Sequence, residues 1–468
     1  MKFTREEIQR ITGARLIQEG RYPVFDGLAI DSRSCKKGDL FVALKGERTD
    51  GHFFVSSAFD KGVSGALVRE IPTSVLGRDR ALFQVDDTLK ALRCIGREAS
   101  ERFRGAKIAI TGTAGKTTCK HMLQDLLRKR FSVEITPQSF NTVIGVSCAL
   151  ANFQQESQIG VIEAGINKVG EMEELATIIA PDIVIFTAFG EGHLEGLESV
   201  EKVVKEKSKL IVSRTYQVYL NGDSPFAPTL IEGLRKMGKK VISFGVRREN
   251  QLFFSHFMFQ WPRLRVAFSV QYGNQVFDFQ APILFEEVLV SLLPAFHMAL
   301  EWGIPPEEIA EVLWDWKPLP GRGNHFHCGG GVVIDDTYNA NPLSYRKALR
   351  LLKRLSQQGL ETWLVAGDML ELGSFSSEAH RTILEEALAP PPLSGIILFG
   401  SHFQEIAEQK FQKALQDGII QLFPAHQEIQ DFLEKHFRFR DNWVVLFKGS
   451  RGMTMEKSIP EEWQTHHG

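Results

Sequence analysis

The chain has little of what marks a secreted, membrane-spanning or nucleic-acid-binding protein. Its 468 residues hold only five cysteines, Cys35, Cys94, Cys119, Cys148 and Cys328, odd in number, widely spaced and never arranged as CxxC. That argues against a disulfide framework and a zinc site, and the thiols read as reduced and structural. A surplus of one charge is missing too, since 55 Lys and Arg stand against 57 Asp and Glu, a net of −2. General binders of nucleic acid or anionic membrane carry a basic excess, so neither partner is expected. No stretch approaches the ~18 consecutive apolar residues of a membrane span. The first residues, Met1 to Gly13, are charged and helix-like, with no apolar signal core. Repeats and low-complexity tracts are absent, and Pro390-Pro-Pro392 is a stiff loop. The expectation is a cytoplasmic, soluble, monomeric protein without membrane insertion.

What is present is an ordinary globular composition, 43% hydrophobic and 24% charged, and a length suggesting roughly three domains of ~150 residues. Residues 1–85 mix short apolar runs (Gly27–Asp31, Asp39–Leu44, Gly65–Val68) with helical segments at Thr4–Ile11 and Phe54–Lys61. They form a small N-terminal α/β domain, and amphipathic Thr88–Phe103 leads out of it. Residues 86–318 alternate buried-strand runs with helices, the pattern of a mostly parallel sheet. The expected strands are Lys107–Thr111, Gly160–Ala164, Ile183–Thr187, Val218–Asn221 and Val241–Gly245, followed by a period-two antiparallel stretch over 251–283. Helices at Glu287–Trp302 and Pro306–Trp314 close this domain. Residues 319–468 repeat the alternation with strands Val332–Asp335, Trp363–Ala366, Ile396–Phe399 and Trp443–Phe447. The fold class is α/β throughout.

The sharpest local signal is Gly112-Thr-Ala-Gly-Lys-Thr-Thr118, which follows an apolar strand and opens a helix. Glycines there let backbone N–H groups converge on phosphate oxygens, and the helix dipole adds favourable potential. Lys116 suits the β/γ-phosphates, and the Thr117 hydroxyl suits Mg²⁺. The strict GxxxxGK[ST] pattern fails because Ile110 stands where its first Gly belongs. A nucleotide cradle is expected and the reaction is left open.

Three downstream residues extend this site. Glu163 ends a buried strand, where a carboxylate either binds the nucleotide's metal or caps loop amides. His193 follows the next strand by a short loop; alone it reads equally as a surface residue. Lys207 lies in a helix that Ser199 would cap, on the stripe of Val203, Val204, Leu210 and Ile211, while Lys202, Lys205 and Lys209 share a solvated face. A lysine on the apolar side must snorkel, find a partner or lose its charge. Once neutral, its amine can take up CO₂ as a carbamate, an anionic metal ligand.

These residues, with Asp31-Ser-Arg33, Asp50-Gly-His-Phe53, Asn141-Thr-Val-Ile-Gly145, Glu163-Ala-Gly-Ile-Asn167, Gly192-His-Leu-Glu-Gly196, Pro320-Gly-Arg322, Asp335 to Pro342, Gly367 to Gly373 and Lys448-Gly-Ser-Arg451, occur in an order that resembles the Mur ligases of bacterial cell-wall synthesis. The resemblance covers nearly the whole chain. It implies an N-terminal domain for a UDP-sugar, a central P-loop ATPase domain and a C-terminal Rossmann-like domain. It further implies that Gly112, Thr113, Ala114, Gly115, Lys116, Thr117 and Thr118 hold ATP, with Arg322 and Asp336 at its γ-phosphate and ribose. Thr117, Glu163, His193 and a carbamylated Lys207 would hold Mg²⁺. Lys116, Lys207, Arg322 and His193 would serve the chemistry. Asp31, Ser32, Arg33, Lys45 and Gly46 would line the uridine site, Asn141 and Thr142 would face substrate, and Tyr338, Asn339 and Asn341 the active centre, with Lys448 and Arg451 on the amine side.

Within the family, the Tyr338-Asn-Ala-Asn-Pro342 and Gly367–Gly373 stretches favour the member that joins D-Ala-D-Ala to UDP-MurNAc-tripeptide. The Asp-Asn-Pro-Arg box of the ligase adding the third amino acid is missing. An inactive nucleotide-binding module is the reading from outside ligase chemistry. Two departures from the family pattern stand out: Ala114 replaces a polar residue, and on the adenine side Glu287-Val288 replaces a His-Asn pair, with Ser291 in place of the following Asn.

Overall fold

The computed structural model describes residues 1–46, 49–189, 199–261 and 263–464, without the side chains of 287 and 464. The chain divides into two compact units. The first comprises Met1–Phe189, Glu201–Phe244 and Pro294–Ile304; the second is built chiefly from Gly245–Leu293 and the residues from Pro305 onward.

The first unit holds two sheets. A five-stranded sheet in the N-terminal region runs Arg15–Gln18, Ala81–Gln84, Gly65–Val68, Leu40–Val42, Leu28–Ala29. Its pairs are parallel except for the outer Arg15–Gln18, which pairs antiparallel with Ala81–Gln84. The sheet is preceded by helix Arg5–Thr12, whose Thr4 and Glu7 form a capping box. The larger sheet orders parallel strands Val133–Ile135, Ile159–Glu163, Ala106–Thr111, Ile183–Phe186, Gln217–Asn221 and Lys240–Gly245. Its inner strands are buried on both faces, which is why they read as continuous apolar runs. Ala106–Thr111, between Ile159–Glu163 and Ile183–Phe186, brings the phosphate loop beside the ends of both neighbours.

Helix Thr88–Arg102 packs closely on helix Val143–Asn152: a Cβ on Gly96 would lie 2.6 Å from the Ser147 Cα. Asn152, at the end of the second helix, donates to the Leu28 carbonyl (2.9 Å) and accepts from the Leu28 N–H (3.0 Å).

In the second unit, strands Leu252–Gln260, Arg265–Tyr272 and Gln275–Ala281 form the antiparallel meander expected from their alternation. Leu264, Leu284 and Phe285 share one core with Ile334, Tyr345, Leu349 and Leu352. Arg354 pairs with Glu286 (3.2 Å) and lies over the Phe257 ring. Helix Pro306–Asp315 packs against the last strand of the meander. The sheet that follows orders Asn324–Cys328, Gly330–Asp336, Asp441–Lys448, Glu361–Gly367, Gly395–Phe399 and Ile420–Leu422, all parallel except its first strand.

Among the described residues no helix is long and apolar enough to cross a membrane. All five cysteines are free thiols.

Candidate active site

Gly112 (φ 150°) and Gly115 (φ 83°) let the loop turn from strand to helix. Any Cβ on Gly112 would fall 2.1 Å from the Thr187 hydroxyl oxygen, so the position admits only glycine. Thr187 secures the loop by donating to the carbonyls of Ala114 (2.6 Å) and Thr111 (3.2 Å), while the Thr113 N–H donates to Ala188 (2.9 Å). Helix Lys116–Leu127 starts at Gly115 with no side-chain cap, which leaves its first N–H groups aimed at the loop. Lys116 Nζ rests on the Gly112 carbonyl at 2.9 Å.

Glu163 lies beside this loop, 4% exposed. Its Oε2 accepts from the Thr117 hydroxyl (3.0 Å) and lies 3.4 Å from Lys120 Nζ; its Oε1 accepts from Asn141 Nδ2 (3.2 Å). Burial pushes the carboxyl upward, but Lys116, Lys120, Thr117 and Asn141 outweigh it and hold Glu163 below the usual carboxylate range. Thr117, Asn141 and Glu163 are therefore brought together. Lys120, fully buried, was not read from the sequence. Its four-residue spacing from Lys116 puts both on one helix face, and the sheet order supplies the carboxylate.

Helix Val200–Ser208 carries Lys207 with its side chain fully buried. Among the described residues its Nζ has no hydrogen-bond partner. Burial, with Lys116 as a secondary influence, lowers its pKa from 10.5 to about 7. The neighbouring Glu206 is occupied elsewhere, by the Gly170 N–H (2.6 Å) and by Lys209 (2.7 Å), so Lys209 is paired rather than simply solvated. The helix stops at Ser208; Leu210 and Ile211 follow in a turn, so the expected stripe is shorter. His193 and Gly192–Gly196 lie outside the described residues. Among those described, no three His, Cys, Asp or Glu side chains converge. The oxygen donors Thr117 and Glu163 fit a hard cation.

In the N-terminal region, Arg33 grips Asp31 with two arms (Nε–Oδ1 3.0 Å, Nη2–Oδ2 2.7 Å), and that guanidinium holds Asp31 below its ordinary range. Ser32 is buried. Lys45 and Asp50 pair through the backbone as an isolated antiparallel β-bridge, and the Gly46 N–H donates to the Thr49 carbonyl (2.9 Å). The histidine of Asp50-Gly-His-Phe53 ties two loops: His52 Nδ1 meets Asp50 (2.6 Å), and Nε2 accepts from the Arg69 N–H (2.9 Å).

In the C-terminal sheet, Asp335 shapes the Pro320–Arg322 turn by accepting from the Gly321 N–H (3.0 Å) and the Thr337 hydroxyl (2.6 Å). Arg322 stacks on Tyr338, its guanidinium carbon 3.9 Å from the ring centre. Lys448, 1% exposed, donates to Asp336 (2.6 Å) and to the Asn339 carbonyl (3.3 Å). Asn341 departs from the expected role, because its side chain caps helix Pro342–Ser356 through the Ser344 N–H (2.8 Å). Arg451 pairs with Glu456 on the surface (2.9 Å). On the expected adenine side, Val288 packs against the apolar core of this unit and Ser291 is buried.

Three family models match in chain order: the Mur ligase family catalytic domain at residues 24–95, the Mur ligase middle domain at 110–284, and the Mur ligase glutamate ligase domain at 321–451. The chain belongs to the Mur ligase family. It is a ligase, and the three-domain α/β architecture expected from the sequence is the family's. The Bacillus subtilis UDP-N-acetylmuramoyl-tripeptide–D-alanyl-D-alanine ligase is 28% identical over 443 residues, covering 94% of this chain and 93% of that one. The crystal structure of MurF from Acinetobacter baumannii superposes with a TM-score of 0.84 at 27% identity, with 98% of each chain covered. MurF ligase from Thermotoga maritima, solved in complex with ADP, gives 0.79 at 25% identity, covering 92% of this chain and 96% of that one.

Proposed function

We propose that this ligase joins D-alanyl-D-alanine to UDP-N-acetylmuramoyl-tripeptide at the expense of ATP, giving the pentapeptide precursor of peptidoglycan. The observation that carries the reading is the pairing of the phosphate-loop Thr117 with buried Glu163 in a chain that matches ligases of that name end to end.

A carboxylate is a poor electrophile because oxide is a poor leaving group. A carboxylate oxygen of the tripeptide attacks the ATP γ-phosphorus and the bond to the β-phosphate oxygen breaks, releasing ADP and leaving an acyl phosphate. The amine of D-Ala-D-Ala attacks the acyl carbon, the C–O bond breaks, phosphate leaves and the amine proton passes to solvent. Lys116 and Arg322 offset the charge that develops on the phosphoryl oxygens. The loop and helix N-terminus from Gly112 to Thr118 hold the nucleotide, with Asp336 at the ribose.

Mg²⁺ would be held by Thr117 and Glu163, with His193 and Lys207 completing the set, and would neutralise phosphate charge when bound. Lys207 joins as its carbamate: the neutral amine bonds to CO₂ with release of a proton, which a pKa near 7 permits at neutral pH. Asp31, Ser32, Arg33, Lys45 and Gly46 take the uridine end, and Asn141, Thr142, Tyr338 and Asn339 the peptide. Lys448 and Arg451 take the amine substrate. We assign domain boundaries at 85/86 and 318/319, a monomeric state and a cytoplasmic site of action.

Phosphate release measured with UDP-MurNAc-tripeptide, ATP and D-Ala-D-Ala tests the reading. Release that needs all three, with a pentapeptide product by mass, is expected; ATP binding without such release would leave only a nucleotide-binding module.

A further inference from the structure

Among the described residues, Lys120 is a buried cation beside the phosphate loop that neither the motifs nor the proposed chemistry employs. Lying four residues after Lys116, it is 0% exposed, 3.4 Å from Glu163 Oε2 and 2.8 Å from the Thr136 carbonyl oxygen. The Thr136 hydroxyl in turn accepts from the Glu163 backbone N–H at 3.1 Å. Lys120 and Thr136 thus hold Glu163 at its carboxylate and at its backbone. Burying an ammonium is costly, and an apolar side chain like its neighbours Met122 and Leu123 would fill such a position at less expense. Here the ammonium is matched to the carboxylate. Thr117 and Lys120 lie on Oε2 and Asn141 on Oε1, which leaves about one of the roughly four lone-pair positions open to a further ligand.

We propose that Lys120 is the resident counter-ion of Glu163: it balances and positions the buried carboxylate when no divalent cation is present, and its charge limits how tightly that cation is held. The inference rests on the assignment of Glu163 to Mg²⁺ made above. Two cations on one carboxylate repel, and even at an effective dielectric of about 20 their mutual cost amounts to tenfold or more in affinity. A loosely held cation suits a site that must release its nucleotide after every turnover. Lys120 is in this sense a positioning residue acting through Glu163.

Thermal unfolding of the full chain with saturating ADP, followed as MgCl₂ is added from an EDTA-treated start, tests it. Lys120→Met is expected to melt below wild type without Mg²⁺ and to recover most of that loss on its addition. Its half-saturating Mg²⁺ concentration should lie roughly tenfold below the wild-type value. Lys120→Gln, which keeps a donor for Thr136 without the charge, should behave alike and serves if the Met variant does not fold. Lys120→Met combined with Glu163→Gln should lose both the deficit and the enhanced response. Half-saturation at or above the wild-type concentration in both Lys120 variants would overturn the counter-ion role alone. A wild-type Mg²⁺ response that survives in Glu163→Gln would remove the metal assignment and this inference together.

Discussion

The central sheet and the C-terminal sheet both gather charged side chains at the carboxyl ends of parallel strands, but they treat those charges differently. In the C-terminal sheet most of the groups are matched, although among the described residues the buried Arg322 Nε has no hydrogen-bond partner. Lys448 has Asp336 and the Asn339 carbonyl, and Asp368 accepts from the N–H groups of His402 and Phe403. His380, held below its usual pKa by burial, accepts at Nε2 from the Met369 N–H (3.0 Å) and engages the Ser376 carbonyl through Nδ1 (2.7 Å). The central sheet buries Lys207 without a partner among the described residues and leaves a helix start without a side-chain cap. Matched charges fix loops; unmatched ones cost stability and persist where a ligand completes them. The C-terminal end orients, and the central end is built to be filled.

This contrast can be broken in graded ways. The largest effect is expected from Lys116→Ala, which removes a cation from the phosphoryl oxygens and should lower kcat/KM by about 10³-fold or more in steady-state assays. Loss below tenfold would put the phosphates elsewhere. Lys207→Ala should lose more than about 100-fold, with part of the activity restored by short carboxylates standing in for the carbamate. Unchanged turnover would remove the carbamate from the account. Tyr338→Leu takes away the ring that steadies Arg322 and should cost about tenfold in kcat/KM, the scale of a partly desolvated cation–π contact. An effect as large as that of Lys116→Ala would mean that Tyr338 does more than hold the arginine.

A further effect is on stability and depends on pH. In CO₂-free buffer, where Lys207 is the free amine, burial lowers its pKa from 10.5 in the unfolded chain to about 7 in the folded one. Below pH 7 both states hold the proton, and the folded chain bears the full penalty of a buried charge. Between 7 and 10.5 only the unfolded state holds it, so this group makes the fold more stable as pH rises. Denaturation midpoints compared over about pH 6.5 to about 9.5 should climb more steeply in wild type than in Lys207→Met; parallel profiles would show that the lysine is not buried as a charge.

Much of this contrast was legible in the residues alone. Ala106–Thr111, Ile159–Glu163 and Ile183–Phe186 stand out as apolar runs because both faces of a parallel sheet are covered. Lys207 stood out because a helix of known period puts it among valines. Short edge strands such as Val133–Ile135 and Ile420–Leu422 were missed, since three residues carry no periodicity. Asn324–Cys328, with two histidines in five residues, carries no strand signal of its own and is held as a strand by pairing with Gly330–Asp336. Lys120 was hidden because its partner comes from a strand more than forty residues away, adjacent only through the sheet order. The stacking of Arg322 on Tyr338 depends likewise on a turn shaped by Asp335.

The most direct test of the central claim, amide formation through an acyl phosphate, follows the oxygen atoms. With the tripeptide's terminal carboxylate labelled with ¹⁸O, mass spectrometry of the phosphate released in a ligation run with ATP and D-Ala-D-Ala should show one labelled oxygen per pentapeptide formed. Phosphate free of label, with pentapeptide still produced, would contradict the account.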